Sequence, residues 1–253
     1  MSYGDMDTDE GKERIEKAIN VLKKTIELDP KFANAYSSLV TLITGEAGDI
    51  KSTMEHLHSE DLKNKYDILV KDVADYANKA ATLQPNTFST YLGLGQSFVL
   101  KDDFDSAISS FNKAREIAPT PEALVLLGVT YLAKESYGEA AEFIQKAIEI
   151  DPKEAFFHAL LSFCYHGKGL YNEAIQIAQQ AIKLDSGRDS LYAWFTLAVS
   201  YGRINQFAES IKYFQKVIEL DPKGEIGSMA EMMLMVMDPK FINTMKRSIK
   251  RKE

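Results

Sequence analysis

One pattern recurs along this 253-residue chain: an aromatic residue, alanine or serine three positions on, a second apolar cluster, another small residue, and then Asp-Pro or a variant of it. It stands at 104–119, 137–152, 171–186 and 207–222. Pro85 to Pro119 is 34 residues, Pro119 to Pro152 is 33, Pro152 to Ser186 is 34, and Ser186 to Pro222 is 36. A period this short cannot enclose a core of its own. Each copy is one supersecondary unit that buries its apolar side only by stacking on its neighbours.

Within each unit the apolar positions recur at helical spacing on both sides of a short polar break. The breaks fall at Lys101-Asp102-Asp103, Lys134-Glu135-Ser136, Lys168-Gly169-Leu170 and Ile204-Asn205-Gln206. Each unit is therefore two helices joined by a tight turn. Ser136 followed by Glu139 has capping-box spacing, and Asp103 or Asn205 offers an acceptor to the exposed amides of a second helix.

The amino-terminal part is less regular. Residues 1–11 form a lead-in, and Ile15, Ala18, Ile19, Leu22 and Ile26 mark one amphipathic helix ended by Asp29-Pro30, a half repeat. Pro30 to Pro85 is 55 residues, about 21 more than a later unit, and residues 45–61 are polar with two glycines. This predicts an insertion between the two helices of the unit or an extension of them, with room for a short helix around 49–57. The expected limits are 12–30, 31–85, 86–119, 120–152, 153–186 and 187–222. After them come a methionine-rich stretch at 229–237 and a basic tail carrying Lys246, Arg247, Lys250, Arg251 and Lys252.

Composition bounds the function. Hydrophobic residues at 45% and charged residues at 26% suit a folded soluble chain. A net charge of -7 opposes a nucleic-acid surface, which needs concentrated Lys and Arg. The single cysteine, Cys164, excludes an intrachain disulfide. The first ten residues lack the order of a signal peptide, and no run approaches the roughly 20 apolar residues that span a bilayer. The expectation is a cytoplasmic protein with no membrane contact.

The helix pairs resemble the tetratricopeptide repeat over residues 12–222. The family's bulky residue near the start of the first helix is matched by Tyr91, Leu124, His158 and Trp194, and its leucine three positions on by Leu94, Leu127, Leu161 and Leu197. The small residue that follows is Gly95, Gly128, Ser162 or Ala198, and the aromatic after it is Phe98, Tyr131, Tyr165 or Tyr201. In the second helix the small positions hold Ala107, Ala140, Ala174 and Ser210, then Ala114, Ala147, Ala181 and, departing, Val217. Thr25, Val40 and Val73 are further departures near the amino end. The resemblance implies an all-α, right-handed superhelical solenoid with a C-terminal capping helix.

It also implies function. First helices of the family line a concave surface that binds other proteins, which predicts an interaction scaffold, not an enzyme, with no cofactor. By position the lining is polar at the amino end, with Asn34, Ser37, Ser38 and Thr41. The residues expected to carry binding are Leu92, Gln96, Leu126 and Val129, followed by Phe156, Phe163, Phe195, Val199 and Arg203. Members that grip a terminal carboxylate use several basic and Asn residues, whereas only Arg203 here adds a full positive charge. An apolar helix or extended peptide is the expected ligand. The same aromatics can instead be inner-core residues. Residues 229–237 can cap the array, fold back into the groove, or pair two copies of the chain.

Two other chemistries have candidate residues in the chain. His56 and His58 beside Glu55, Glu60 and Asp61 offer metal ligands, but alternate residues face different ways on a helix. Cys164 with His158 and His166 offers a nucleophile and a base, but Cys164 falls at a packing position in mid-helix, where an inert thiol is expected.

Overall fold

Repeated apolar stripes make repeated hairpins. A computed structural model of the chain describes residues 9–57, 59–187, 190–222 and 224–237. These form α1 (Asp9–Leu28), α2 (Ala33–Leu57), α3 (Glu60–Leu83), α4 (Phe88–Leu100), α5 (Phe104–Ile117), α6 (Pro121–Ala133), α7 (Tyr137–Ile150), α8 (Ala155–Gly167), α9 (Tyr171–Leu184), α10 (Leu191–Arg203), α11 (Phe207–Leu220) and α12 (Glu225–Met237). No strand occurs among the described residues. The fold is an all-α helical-repeat solenoid. The hairpins fall into two units, residues 1–150 and 151–253. The lead-in up to Thr8 and the basic tail lie outside the described residues.

Small residues sit where paired helices meet. Ala107, Ala140, Ala174 and Ser210 have no exposed surface, nor do Ala114, Ala147, Ala181 and Val217. On the facing helix a Cβ at Gly95 would lie 2.3 Å from the Phe111 ring, and one at Gly128 would lie 2.6 Å from Ile144. Phe111 and Ile144 are themselves fully buried. Ridges can interdigitate at this distance only because one side of the crossing has almost no side chain.

The four turns share one geometry. Asp102 (φ 57°), Glu135 (φ 57°), Gly169 (φ 77°) and Asn205 (φ 62°) each adopt the left-handed conformation that ends a helix. The next amide bonds back to the aromatic at the start of the last helical turn: Asp103 to Phe98, Ser136 to Tyr131, Leu170 to Tyr165 and Gln206 to Tyr201, at 2.9–3.0 Å. Asp103 then caps α5, its carboxylate accepting from Ser106 N at 3.2 Å. Asn205 does not cap α11. It occupies the turn position, and Gln206 precedes the helix without a side-chain cap bond.

In the long unit the extra residues are helical, in α2 and α3. Gly45 and Gly48 lie on the exposed side of α2. The buried stripe runs on past them through Leu39, Ile43, Ala47 and Ile50 to half-buried Met54. Each glycine costs about 1 kcal/mol of helix propensity, less than this continued burial returns. The added turns reach the end of α4. Tyr66 Oη donates to the Leu100 carbonyl at 2.6 Å, and Lys51 Nζ pairs with Asp102 at 2.6 Å. The phenol thus satisfies a carbonyl that the end of α4 leaves without an intrahelical partner.

In the second unit, α12 packs on α11 and more lightly on α10. Ala230 and Leu234 are fully buried against Leu191, Ala198, Phe214 and Val217. The methionine-rich helix is a cap on the last hairpin.

Three stability changes follow, all read by urea unfolding. Gly95→Ala should destabilise by about 1–3 kcal/mol through overpacking against Phe111, whereas Gly45→Ala, with open space around its Cβ position, should stabilise by about 0.5–1 kcal/mol. Equal effects of the two would refute the close crossing. Tyr66→Phe should cost about 1–3 kcal/mol by orphaning the Leu100 carbonyl; an unchanged midpoint would show that water replaces the phenol.

Candidate functional site

The surface that concentrates aromatic and polar groups lies in the second unit, on α8 and α10, which pack side by side. Helical periodicity places Phe156, Leu160, Phe163 and His166 along one stripe of α8, and Tyr192, Phe195, Val199 and Arg203 along one stripe of α10. Two contacts pin the register. The Phe156 and Tyr192 rings meet edge to face at 6.2 Å, and His166 Nδ1 lies 2.8 Å from Ser200 Oγ. The helices therefore run parallel, and the rise along α8 from Phe156 to His166 is about 15 Å.

Burial grades across this face. Leu160 and Thr196 are buried, Phe156, Phe163, Phe195 and Val199 are half-buried, and Tyr192 is 45% exposed. Phe195 also meets the Phe214 ring edge-on at 5.8 Å, and both Phe195 and Val199 pack against the cluster that α12 completes. These two residues serve the cap as well as the face. Arg203 ends α10 and is exposed.

His166 is the titratable group of the face. Burial, and after it the Arg203 guanidinium, hold it below the usual histidine range, so the ring is neutral at neutral pH. It also packs on Tyr171, at 5.2 Å between centroids.

The other two groups of the possible nucleophilic set are occupied. His158 Nε2 donates to the Pro152 carbonyl at 2.9 Å, as Tyr36 does to Pro30 and Thr90 to Gln84, each six residues back. These side chains hold the linker against the first helix of its hairpin. Cys164 has no exposed surface, and burial pushes its thiol up to about 12. It is a packing residue.

In the first unit the four expected binding residues differ among themselves. Leu92 and Gln96 are buried at 7% and 8% exposure, Leu92 within the cluster of Ala107, Phe111 and Leu127. Leu126 is half-buried against that cluster, and Val129 is 39% exposed. The Gln96 Oε1 is buried without a hydrogen-bond partner. Asn34, Ser38 and Thr41 are exposed on α2.

His58 and the side chains of Glu55 and His56 lie outside the described residues. Among the described residues no group of three or more His, Cys, Asp and Glu is placed to hold a metal ion. No described helix is long and apolar enough to cross a membrane. Ser200 is the contact that sequence reasoning missed. Its signal was available, since residues one repeat apart, 166 and 200, fall side by side on successive first helices.

Comparison with known proteins agrees with this architecture. Tetratricopeptide repeat profiles match residues 92–155, 157–187 and 191–223. A 64-residue stretch is 41% identical to BBSome complex member BBS4 of Bos taurus, covering 25% of this chain but 12% of that protein. Among solved structures, YrrB, described as a TPR protein with an unusual peptide-binding site, superposes with a TM-score of 0.53 at 18% identity, over 83% of this chain and 97% of that one. PilF of Pseudomonas aeruginosa does so with a TM-score of 0.61 at 14% identity, over 88% and 91%. Likeness at these identities speaks for the fold. With the profile matches, the hairpin crossings and the shared turns together, the chain belongs to the tetratricopeptide repeat family.

Proposed function

We propose that this protein is a non-enzymatic interaction scaffold whose α8–α10 face binds the apolar side of a partner's helix or an extended peptide. The observation that carries the reading is the in-register stripe of Phe156, Phe163 and Tyr192, aromatic groups left partly in water between two packed helices. Large half-buried aromatics supply much contact area at low entropic cost and are typical binding anchors. A span of about 15 Å accepts two to three helical turns or four to five extended residues. The peptide-binding site described for YrrB supports this mode of action by analogy of fold alone. Within the first unit, Val129 and part of Leu126 are taken by themselves as candidate contacts; Phe195, Val199 and Arg203 belong to the face in the second. The repeat limits of 12–222 and a cytoplasmic location belong to the same reading.

A displayed library of amphipathic peptides selected on the intact protein tests the face. Enriched sequences should carry bulky apolar residues at i, i+3 or i+4, and i+7, and should bind Phe163→Asp at least tenfold more weakly, with circular dichroism confirming that the variant is folded. Enriched peptides that bind Phe163→Asp and Tyr192→Ala as well as wild type would remove this face from the account.

A second reading is pairing of two copies through α12, whose outer side exposes Met232 (55%), Met233 (44%), Met235 (41%) and Val236 (83%). It requires the mass measured by light scattering to rise toward two chains with concentration. A mass that stays at one chain rejects it.

A further inference from the structure

The α8–α10 face ends in positive charge that no ion pair among the described residues answers. Arg203 is exposed and makes no ion pair among the described residues. It lies close enough to His166, another potential cation, to act on that ring electrostatically, three residues along α10 from the Ser200 that His166 touches. The side chains that face His166 are Tyr171 from α9 and Ser200 and Arg203 from α10, and no carboxylate is among them. His166 uses Nδ1 toward Ser200 and makes no hydrogen bond through Nε2 among the described residues. Elsewhere a cation can be answered within the chain, as Lys51 is by Asp102 and Lys65 by Glu46.

We propose that this end of the face receives an aspartate or glutamate side chain of the partner, placed about one helical turn beyond its apolar residues and held between the Arg203 guanidinium and His166 Nε2. The proposal rests on the reading of the face as a binding surface and specifies its ligand. Phe156, Phe163 and Tyr192 supply contact area without direction; the charged end sets which way the peptide lies. Arg203 offers a fork of donors suited to a carboxylate. His166 Nε2 donates when the ring is protonated, and also in the neutral tautomer in which the Ser200 hydroxyl donates to Nδ1.

The pH dependence has a definite sign. In the free protein burial and Arg203 disfavour the imidazolium. A bound carboxylate opposes both effects and raises the pKa of His166, so binding takes up a proton. Affinity for an acidic peptide therefore grows as pH falls through the range at and below the usual histidine value, until the ligand's own carboxyl protonates near about pH 4.

The test uses the full chain and three capped twelve-residue helical peptides. Each carries leucines on one face and has Glu, Gln or Lys one turn beyond that face, in versions with the polar residue at either end. Fluorescence anisotropy at pH 7.5 should show one Glu version binding roughly three- to tenfold tighter than its Gln counterpart, with Lys weakest. The Glu advantage should widen at pH 5.5. Arg203→Gln, an exposed substitution, should bring the Glu peptide to within about twofold of the Gln peptide measured on the same variant, and His166→Gln should remove the pH dependence. Equal binding of Glu and Gln peptides at both pH values overturns the carboxylate site while leaving the apolar face in place. Failure of all the peptides to bind overturns both.

Discussion

Every hairpin in this protein depends on the close crossing of its two helices. Dispersion falls away steeply with separation, so a hairpin with one face in water is held only if its backbones approach closely. Gly95 against Phe111 and Gly128 against Ile144 show how that distance is reached, with a large buried side chain of one helix seated on a bare patch of the other. Ser162 and Ala198 occupy the same place in the second unit, both fully buried. The aromatic and leucine positions around the crossing then fill the wider gaps.

The period follows from that crossing and from the turn. First helices α4, α6, α8 and α10 have 13 residues each and second helices α5, α7, α9 and α11 have 14. Each pair is reversed by one residue in the left-handed conformation. Only Gly169 is free of the steric cost there, and Asp102, Glu135 and Asn205 bear it because the same two backbone bonds close every turn. The aromatics Phe98, Tyr131, Tyr165 and Tyr201 matter twice, as packing groups and as the residues whose carbonyls receive the returning amide.

Legibility differed between regular and irregular parts. The four regular hairpins, their small crossing residues and their turns were readable because each signal occurs four times at one spacing. In the long unit, exposed Gly45 and Gly48 suggested a break, while buried positions 39, 43, 47 and 50 and half-buried 54 carried a helical period straight through it. Local propensity and tertiary burial disagreed there, and burial prevailed. The candidate site was half readable. Phe156, Phe163 and Arg203 could be placed by repeat position, but exposure could not: Gln96 holds the position of Phe163 and Leu92 that of Phe195, and both are buried. Repeat position tells which way a side chain points, and the neighbouring helix determines how much of it stays in water.

The sequence by itself determined the all-helical class, the pairing of helices, the places where they cross and the family to which the chain belongs. These are periodic properties, and a covalent period translates directly into a spatial one when each unit touches only its neighbours. Tertiary structure alone decided the rest. It made the added turns of α2 and α3 a clasp on the end of α4, and made the methionine-rich helix a cap seated on Phe214 and Val217. It also brought His166 to Ser200 beside Arg203. Each of these joins residues that no local rule connects, through contacts that exist only once separate helices have been packed together.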